Sequence, residues 1–184
     1  MTRLAVVVGS VRPNRVGGAI AQWVVDQANE IEGVDAELVD IASFNLPLFA
    51  EELPPRMAVP SDPAGAAFGE ALKSFDGLIF VTPEYNFSIP GALKNAIDFL
   101  DPSAVANKGV GVVGYSYSVG IRAVSHLQQI LQGMGATVVA SNVFLSLNTD
   151  FADGAFSPAS FHDPEVPAMV RDVVAHSDAL ASLR

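Results

Sequence analysis

The chain has no cysteine among its 184 residues, so disulfides, thiolate metal sites and cysteine nucleophiles are all excluded. Basic residues are also few. Ten lysines and arginines stand against twenty aspartates and glutamates, which gives a formal net charge of −10 at pH 7. Because the chain carries no basic cluster, its charge argues against nucleic acid and against anionic membranes as partners.

Long apolar runs are missing as well. No stretch approaches the ~20 residues needed to span a bilayer, and the N-terminus leads directly into the strand-like segment Leu4–Val8. We therefore expect no membrane partner and a cytoplasmic location. Half of the residues are hydrophobic and 16% are charged, which is typical of a globular protein. We expect one domain spanning residues 1–184, large enough to bury about 70% of its unfolded-chain surface.

Short apolar runs alternate with segments of helical periodicity along the chain. Strands are predicted at Leu4–Val8, Ala36–Ile41, Leu78–Val81, Val110–Tyr115 and Thr137–Leu147. Helices are predicted near Gly17–Glu32, Ala64–Phe75, Gly91–Leu100, Val124–Met134 and Met169–Leu183. This alternation predicts an α/β fold with a parallel sheet covered on both faces. Five such units fit a flavodoxin-like, doubly wound sheet of strand order 2-1-3-4-5. The proline-rich segments Phe44–Pro63 and Asp150–Pro167 are predicted to be irregular.

The segment Gly9–Gly18 leads from the first predicted strand into the first helix. Free backbone N–H groups and the positive end of the helix dipole favour an anion there. Ser10 can donate a hydroxyl hydrogen bond, and Arg12 and Arg15 can each bind phosphate through a planar guanidinium. Two arginines beside a helix N-terminus repel one another unless an anion accompanies them, so this pattern predicts a phosphate site. The alternative is a solvated loop with two surface arginines. Neither a Gly-x-Gly-x-x-Gly motif nor a Walker motif is present.

The segment Phe80–Asp98 joins a buried strand to a helix through a polar loop with two prolines. Open α/β sheets bind small ligands at the carboxyl ends of their strands. Glu84 is the one carboxylate in this loop, and we interpret it as a surface or interface residue rather than a general base. His126, His162 and His176 lie far apart without metal-ligand spacing, and no metal site is predicted. The absence of a Gly-x-Ser-x-Gly elbow gives hydrolase chemistry no support.

The sequence GSVRP at residues 9–13, together with PEYNFSIPGALKNAID at residues 83–98, resembles the NAD(P)H-dependent FMN reductase family. The likeness extends through DIASFNLPL at 40–48 and RAVSHL at 122–127. The resemblance implies a flavodoxin-like fold, bound FMN, and NADPH or NADH as co-substrate. The family includes quinone, chromate and azo-dye reductases, and it implies a homodimer or homotetramer.

Carried over by position, the resemblance assigns the FMN phosphate to Ser10, Arg12, Arg15 and the backbone N–H groups around Val16 and Gly17. Many relatives have a serine and an asparagine after the first arginine. The present sequence is instead similar to a subgroup with a second arginine.

The resemblance places Pro83, Glu84, Tyr85 and Asn86 along the isoalloxazine ring, mostly through backbone groups. A flat, partly apolar ring needs an apolar wall and a few fixed donors. Pro83 and Pro90 would hold this loop in shape without ligand-dependent ordering.

Ser116, Tyr117 and Ser118 form the corresponding loop after the fourth strand. Relatives usually carry a Gly-Gly pair here, which lets backbone N–H groups approach the pyrimidine edge of the flavin. Val119 also stands where another glycine is common. The sequence leaves open whether Tyr117 covers the ring, narrows the substrate opening or obstructs FMN.

The resemblance implies that FMN rather than a catalytic side chain carries the chemistry. Hydride would pass from the nicotinamide to FMN, and a quinone, flavin or similar acceptor would then take the electrons. One ring face serving both substrates predicts ping-pong kinetics. Two alternatives stay open: a flavodoxin-type electron carrier that binds FMN without nicotinamide turnover, and a flavin-free interaction module that retains the fold. Such carriers usually have a phosphate loop without arginines.

Overall fold

The computed structural model describes residues 1–184, the whole chain, as a parallel sheet with helices on both faces. The strands are β1 (Thr2–Val8), β2 (Val34–Asp40), β3 (Gly77–Pro83), β4 (Gly109–Ser116), β5 (Thr137–Val138) and β6 (Val143–Ser146). The helices are α1 (Gly17–Asn29), α2 (Pro63–Lys73), α3 (Gly91–Asp98), α4 (Ile121–Gly133) and α5 (Glu165–Ala179). A hairpin of β7 (Phe151–Ala152) and β8 (Ala155–Phe156) precedes α5.

The sheet runs in the order β2-β1-β3-β4-β5, with β6 also paired to β4. All these pairings are parallel, which confirms the predicted flavodoxin-like fold. Strands β1, β3 and β4 are buried almost throughout. They form near-continuous apolar runs because helices cover both faces of the sheet.

The core lies in two layers, one on each face of the sheet. On one face Phe68 and Leu72 of α2 pack with Leu93 of α3 and Leu127 of α4. On the other face α1 and α5 supply buried side chains that include Ile20, Ala21, Val24, Val25, Met169, Val170 and Val173. The two layers fix the strand ends from which the site loops emerge.

The fifth strand differs from the prediction of one continuous element over Thr137–Leu147. Val138 pairs with Val110 and Val143 pairs with Val113, so four residues of this segment face two residues of β4. The side chain of Asn142 accepts a hydrogen bond from Val112 N at 3.1 Å, which replaces part of the interrupted ladder. The strand is therefore divided by a bulge.

The segment Asp150–Pro167 also differs from its predicted irregularity. It contains the β7–β8 hairpin, a 3₁₀ turn at Ser160–His162 and the start of α5. Asp153 and Gly154 form the hairpin turn with positive φ angles of 49° and 79°. An Asp-Gly pair favours that left-handed geometry. The other proline-rich segment, Phe44–Pro63, is irregular as predicted from Asn45 to Asp62, and its last residue, Pro63, begins α2.

No helix in the structure combines the length and the apolar character needed to cross a bilayer.

Candidate functional site

A cleft of about 460 Å³ opens at the carboxyl edge of the sheet, where the loops after β1, β3 and β4 meet the β7–β8 hairpin. It is lined by Arg12, Asn14, Arg15, Val16, Pro83, Glu84, Tyr85, Tyr115, Ser116, Tyr117, Leu147, Phe151 and Gly154. Eight of the predicted site residues belong to this lining, while Ser10, Gly17, Asn86 and Ser118 lie behind it or beside it. A second cavity of about 290 Å³, near Val11 and Asn95, has no charged lining residue. The cleft at the carboxyl edge is therefore the candidate site, because it brings together eight of the predicted residues, including the charged Arg12 and Arg15.

One end of the cleft lies at the N-terminus of α1. The residue before the helix, Val16, has φ −89° and ψ −11° and makes no side-chain cap, and the first turn contains no acidic residue. The Tyr115 hydroxyl packs closely against Gly17, because a Cβ added at Gly17 would lie 2.6 Å from it. An uncapped helix start with its positive dipole end facing a cleft favours an anionic ligand.

The two predicted phosphate-binding arginines lie at this end in different environments. Arg15 forms an ion pair with Asp40 at the end of β2, and its other nitrogen donates to Arg12 O at 3.3 Å. The Arg12 side chain is exposed, with its guanidinium carbon 5.7 Å from the ring centre of Tyr85. All N–H donors of the Arg12 side chain therefore remain available to a ligand, whereas Asp40 already accepts from one nitrogen of Arg15.

Ser10 is fully buried and lies beneath the cleft rather than on its surface. Its hydroxyl is 2.9 Å from the hydroxyl of Tyr85. The backbone N–H of Arg12 donates to the Ser10 hydroxyl oxygen at 3.5 Å. Ser10 thus joins the loop after β1 to the loop after β3.

The loop after β3 makes a tight turn at its tip. The backbone of Tyr85 and that of Ser88 exchange hydrogen bonds of 2.9 and 3.1 Å. The two residues between them, Asn86 and Phe87, have φ angles of 47° and 68°. This left-handed region is common for asparagine but strained for phenylalanine. Asn86 is exposed at the tip and does not line the cleft.

Glu84 connects this loop to α4. Its side chain is only 5% exposed, and its carboxylate accepts bonds from Arg122 Nε (2.8 Å), Arg122 Nη2 (2.5 Å) and Arg122 N (3.1 Å). The hydroxyl of Ser118 donates to it at 3.2 Å. Burial alone would raise the pKa of Glu84, but the bonds from Arg122 and Ser118 outweigh it and lower the pKa. Glu84 is an anchored anion, which makes it a poor proton acceptor at neutral pH.

The loop after β4 is organised by Ser116. Its hydroxyl oxygen accepts the N–H groups of Ser118 at 3.0 Å and Gly120 at 2.8 Å. Tyr117 projects from the loop with 75% of its surface exposed, so it lines the cleft without filling it. The side chains of Ser116 and Tyr117 therefore leave the cleft open.

Sequence reasoning missed one buried residue at the base of the cleft. Tyr115 pairs in register with Pro83 and is almost fully buried. Burial, with a smaller contribution from Tyr85, raises the pKa of its hydroxyl, so the group stays protonated. Its position at the end of a buried strand was the available signal.

It also missed the wall formed by Leu147, Phe151 and Gly154. The Asp-Gly pair between two apolar stretches was the signal for this hairpin. The ring of Phe156 lies 5.4 Å from those of Trp23 and Phe151. These contacts dock the hairpin on α1.

A buried cluster holds the base of the hairpin. Asp150 accepts the N–H groups of Ser146 at 2.7 Å and Ala159 at 3.0 Å. His162 Nε2 lies 3.2 Å from Asp150 Oδ1 but outside hydrogen-bond geometry, while its Nδ1 is 2.6 Å from Glu165. Burial would raise the pKa of Asp150, yet these N–H groups and His162 lower it. The cluster is not arranged to hold a metal ion; it fixes the segment that walls the cleft.

The residues of the cleft fit FMN. The uncapped start of α1 with two arginines suits a phosphate, and the cleft volume lies within the range of small-ligand sites. Pro83, Tyr85 and Tyr115 provide the apolar and hydrogen-bonding surface that a flat ring needs. A protein of net charge −10 places two of its ten cations at this one opening, which matches an anionic ligand.

Comparison with known proteins also indicates a protein that uses FMN. The model of the family described as NADPH-dependent FMN reductase matches residues 2–150. An NAD(P)H-dependent FMN reductase from a Nectria species is 35% identical over 72% of this chain and 68% of its own length. A quinone reductase of Escherichia coli is 31% identical over 78% of this chain and 76% of its own.

Among solved structures, the flavoenzyme NAD(P)H:(acceptor) oxidoreductase FerB of Paracoccus denitrificans superposes with a TM-score of 0.74. The match covers 96% of this chain and 99% of that one at 24% identity, and it supports the fold. An archaeal flavodoxin also matches, with a TM-score of 0.60 and 14% identity.

Proposed function

Because this chain belongs to the NADPH-dependent FMN reductase family, it is an oxidoreductase that uses FMN and a reduced nicotinamide, and we propose that the cleft at the carboxyl edge of the sheet binds FMN and delivers its electrons to a quinone. The observation that carries this proposal is the convergence of three loops on one cleft. The uncapped start of α1 and its two arginines lie at one end, and the tyrosine and proline walls lie at the other.

The side chains of the cleft bind and orient in this proposal. Arg12 and Arg15 hold the phosphate with the N–H groups at the start of α1. Pro83 and Tyr85 support the ring, and the Tyr115 hydroxyl packs against Gly17 in the first turn of α1. When bound, FMN supplies the capacity to take a hydride from the nicotinamide and pass electrons on. The lowered pKa of Glu84 makes it a poor proton acceptor in this reaction.

We propose a quinone as the acceptor, with free flavin as the next candidate. The supporting observations are the apolar and aromatic lining of the cleft and the relatives described above, of which one is called a quinone reductase. The overall reaction balances as NAD(P)H plus one proton plus quinone giving NAD(P)⁺ plus hydroquinone. Because nicotinamide and quinone would reach the same opening in turn, ping-pong kinetics are expected.

We further propose a homodimer, or a homotetramer built from two dimers, in the cytoplasm. Large apolar side chains are exposed on the loops after β1 and β3 and at the start of α4: Val11, Phe87 and Ile121. Four more, Leu48, Leu53, Met57 and Val59, are exposed on the long segment between β2 and α2. Such a concentration of exposed apolar side chains is typical of an interaction surface. Light scattering of the purified protein tests the subunit number, and a monomer at micromolar concentration would contradict the proposal.

The deciding experiment is an absorbance spectrum of the purified protein, followed by titration with FMN and turnover with NADH and NADPH. We expect flavin absorbance, or uptake of added FMN, and steady nicotinamide oxidation with a panel of quinones. Flavin binding without nicotinamide oxidation would favour the electron carrier. The absence of both would favour the flavin-free module.

A further inference from the structure

The turn after β4 is held by an unusually complete set of bonds. The Ser116 hydroxyl accepts two backbone N–H groups, and the Val119 N–H donates to Ser116 O at 3.2 Å. Ser118 lies 2.9 Å from Arg122 Nη2 and donates to Glu84, so the turn is also fixed to the two neighbouring elements. The backbone of this turn is therefore defined independently of any ligand.

The same turn contains backbone strain. Val119 has a φ angle of 55°, a left-handed conformation that is a genuine outlier for a β-branched residue. The following Gly120 has φ 73°, and a Cβ there would lie 2.7 Å from Tyr115 N. Strain of this kind persists only where surrounding contacts impose it, and it occurs preferentially at functional sites.

Tyr117 is the residue that this turn presents. It lines the cleft, yet 75% of its surface is exposed. Its hydroxyl makes no hydrogen bond within the chain, in contrast to that of Tyr85. A rigid backbone that displays a free aromatic ring at the edge of a cleft offers contact area at a small entropy cost.

We propose that Tyr117 is the specificity-determining residue for the electron acceptor: its ring forms the outer face against which a flat aromatic acceptor packs. This inference rests on the proposed function of the cleft as an FMN site. Because the backbone of the turn is fixed without a ligand, only the side-chain rotamer of Tyr117 has to be ordered when the acceptor binds, which limits the entropy cost of the contact. Small inorganic acceptors have no flat apolar face and gain nothing from this contact.

The test compares two acceptors in the FMN-loaded protein. Naphthoquinone takes two electrons and two protons per nicotinamide oxidised, whereas two ferricyanide ions take one electron each. For Tyr117→Ala we expect kcat/KM with naphthoquinone to fall about tenfold, the size of a lost aromatic contact. With ferricyanide kcat/KM should stay within about twofold of the parent value, and Tyr117→Phe, which keeps the ring, should resemble the parent with both acceptors.

Binding provides a second measurement that does not depend on turnover. Protein with oxidised FMN does not reduce naphthoquinone. The dissociation constant of naphthoquinone can therefore be measured from the perturbation of the flavin spectrum. We expect about tenfold weaker binding in Tyr117→Ala, with the dissociation constant for FMN unchanged within about twofold. Equal losses for naphthoquinone and ferricyanide, or weakened FMN binding, would overturn the proposal. A change in subunit number for Tyr117→Ala would also overturn it, because the ring would then belong to an interface.

The parent protein separates this proposal from the proposed function. If the parent neither binds FMN nor oxidises nicotinamide with ferricyanide, the proposed function fails. If the parent does both and Tyr117→Ala matches it with naphthoquinone, only the role of Tyr117 fails. Leu183→Ala, which removes an exposed apolar side chain outside the cleft, serves as the matched control and should leave both dissociation constants unchanged.

Discussion

Arg122, in the first turn of α4, donates both a side-chain fork and its own backbone N–H to the carboxylate of Glu84. The guanidinium carbon of Arg122 also lies 4.5 Å from the ring centre of Phe87, at the strained tip of the loop after β3. One arginine thus holds two points of that loop against α4. The loop is fixed by a buried carboxylate that is used for structure.

Glu84→Gln is expected to loosen this loop while leaving the chemistry intact. The amide keeps the size of the carboxylate but loses the charge-assisted bonds, each worth about 1.5–3 kcal/mol. We expect the dissociation constant for FMN to rise about tenfold, measured by flavin fluorescence. At saturating FMN, kcat should stay within about threefold of the parent. A loss of kcat greater than a hundredfold in fully loaded protein would instead assign proton transfer to Glu84.

The phosphate site can be tested by comparing FMN with riboflavin, which lacks the phosphate. Arg12→Gln should weaken FMN binding about tenfold or more, because charge-assisted bonds to phosphate are lost, and should leave riboflavin binding unchanged. Arg15→Gln should have a smaller effect, since Asp40 already occupies part of that guanidinium. Lys94→Gln, on the exposed face of α3, is the control. Equal weakening of both flavins would show that the arginines shape the loop rather than bind phosphate.

Most of the fold followed from the sequence because its signals are local. The apolar runs of β1, β3 and β4 and the helical periodicity of α1 to α4 are properties of short segments. The bulge between β5 and β6 was missed because it depends on the register with β4, and on the side chain of Asn142 that reaches Val112 N. Register is a tertiary property that an apolar run does not encode.

The candidate site was predictable where it lies on loops after buried strands, and less so elsewhere. The positions of Arg12, Arg15 and Tyr85 at one cleft follow from the strand order alone. Glu84 was interpreted as a surface or interface residue, but it is buried because Arg122, distant in sequence, supplies the compensating charge. The hairpin wall was missed because proline and aspartate content outweighed the Asp-Gly signal.

Val119→Gly is expected to stabilise the protein. Glycine adopts the φ angle of 55° without strain. Relief of about 1–3 kcal/mol of backbone strain exceeds the added entropy of the unfolded chain, about 0.5–1 kcal/mol. We expect a net gain of about 1 kcal/mol in the free energy of unfolding, measured by urea denaturation. Val16→Gly, at an ordinary φ of −89°, should lower stability; a loss in both variants would contradict the assignment of strain to Val119.

Asp150→Asn is expected to destabilise the protein by about 2–3 kcal/mol at neutral pH, since it removes a buried carboxylate that accepts the backbone N–H groups of Ser146 and Ala159. The folded-state pKa of Asp150 is lowered, so its stabilising effect is present above the unfolded pKa of about 3.9 and is lost as pH falls through the folded pKa. The difference between parent and variant should therefore shrink below about pH 4, measured by urea denaturation across pH. Asp153→Asn, exposed at the hairpin tip, should show no such dependence. A constant difference at all pH values would exclude the charge of Asp150 as its cause.

Gly17 and Tyr115 are expected to be energetically coupled. A Cβ on Gly17 would lie 2.6 Å from the Tyr115 hydroxyl oxygen, so Gly17→Ala must displace a buried ring and should cost about 1–3 kcal/mol. Tyr115→Phe removes that oxygen and leaves room for the added methyl group. In the double variant the clash is relieved, so we expect the combined loss of stability to be smaller than the sum by about 1 kcal/mol. Urea denaturation of the four proteins measures this coupling. Strict additivity would mean that the first turn of α1 moves away from Tyr115 instead of being held against it.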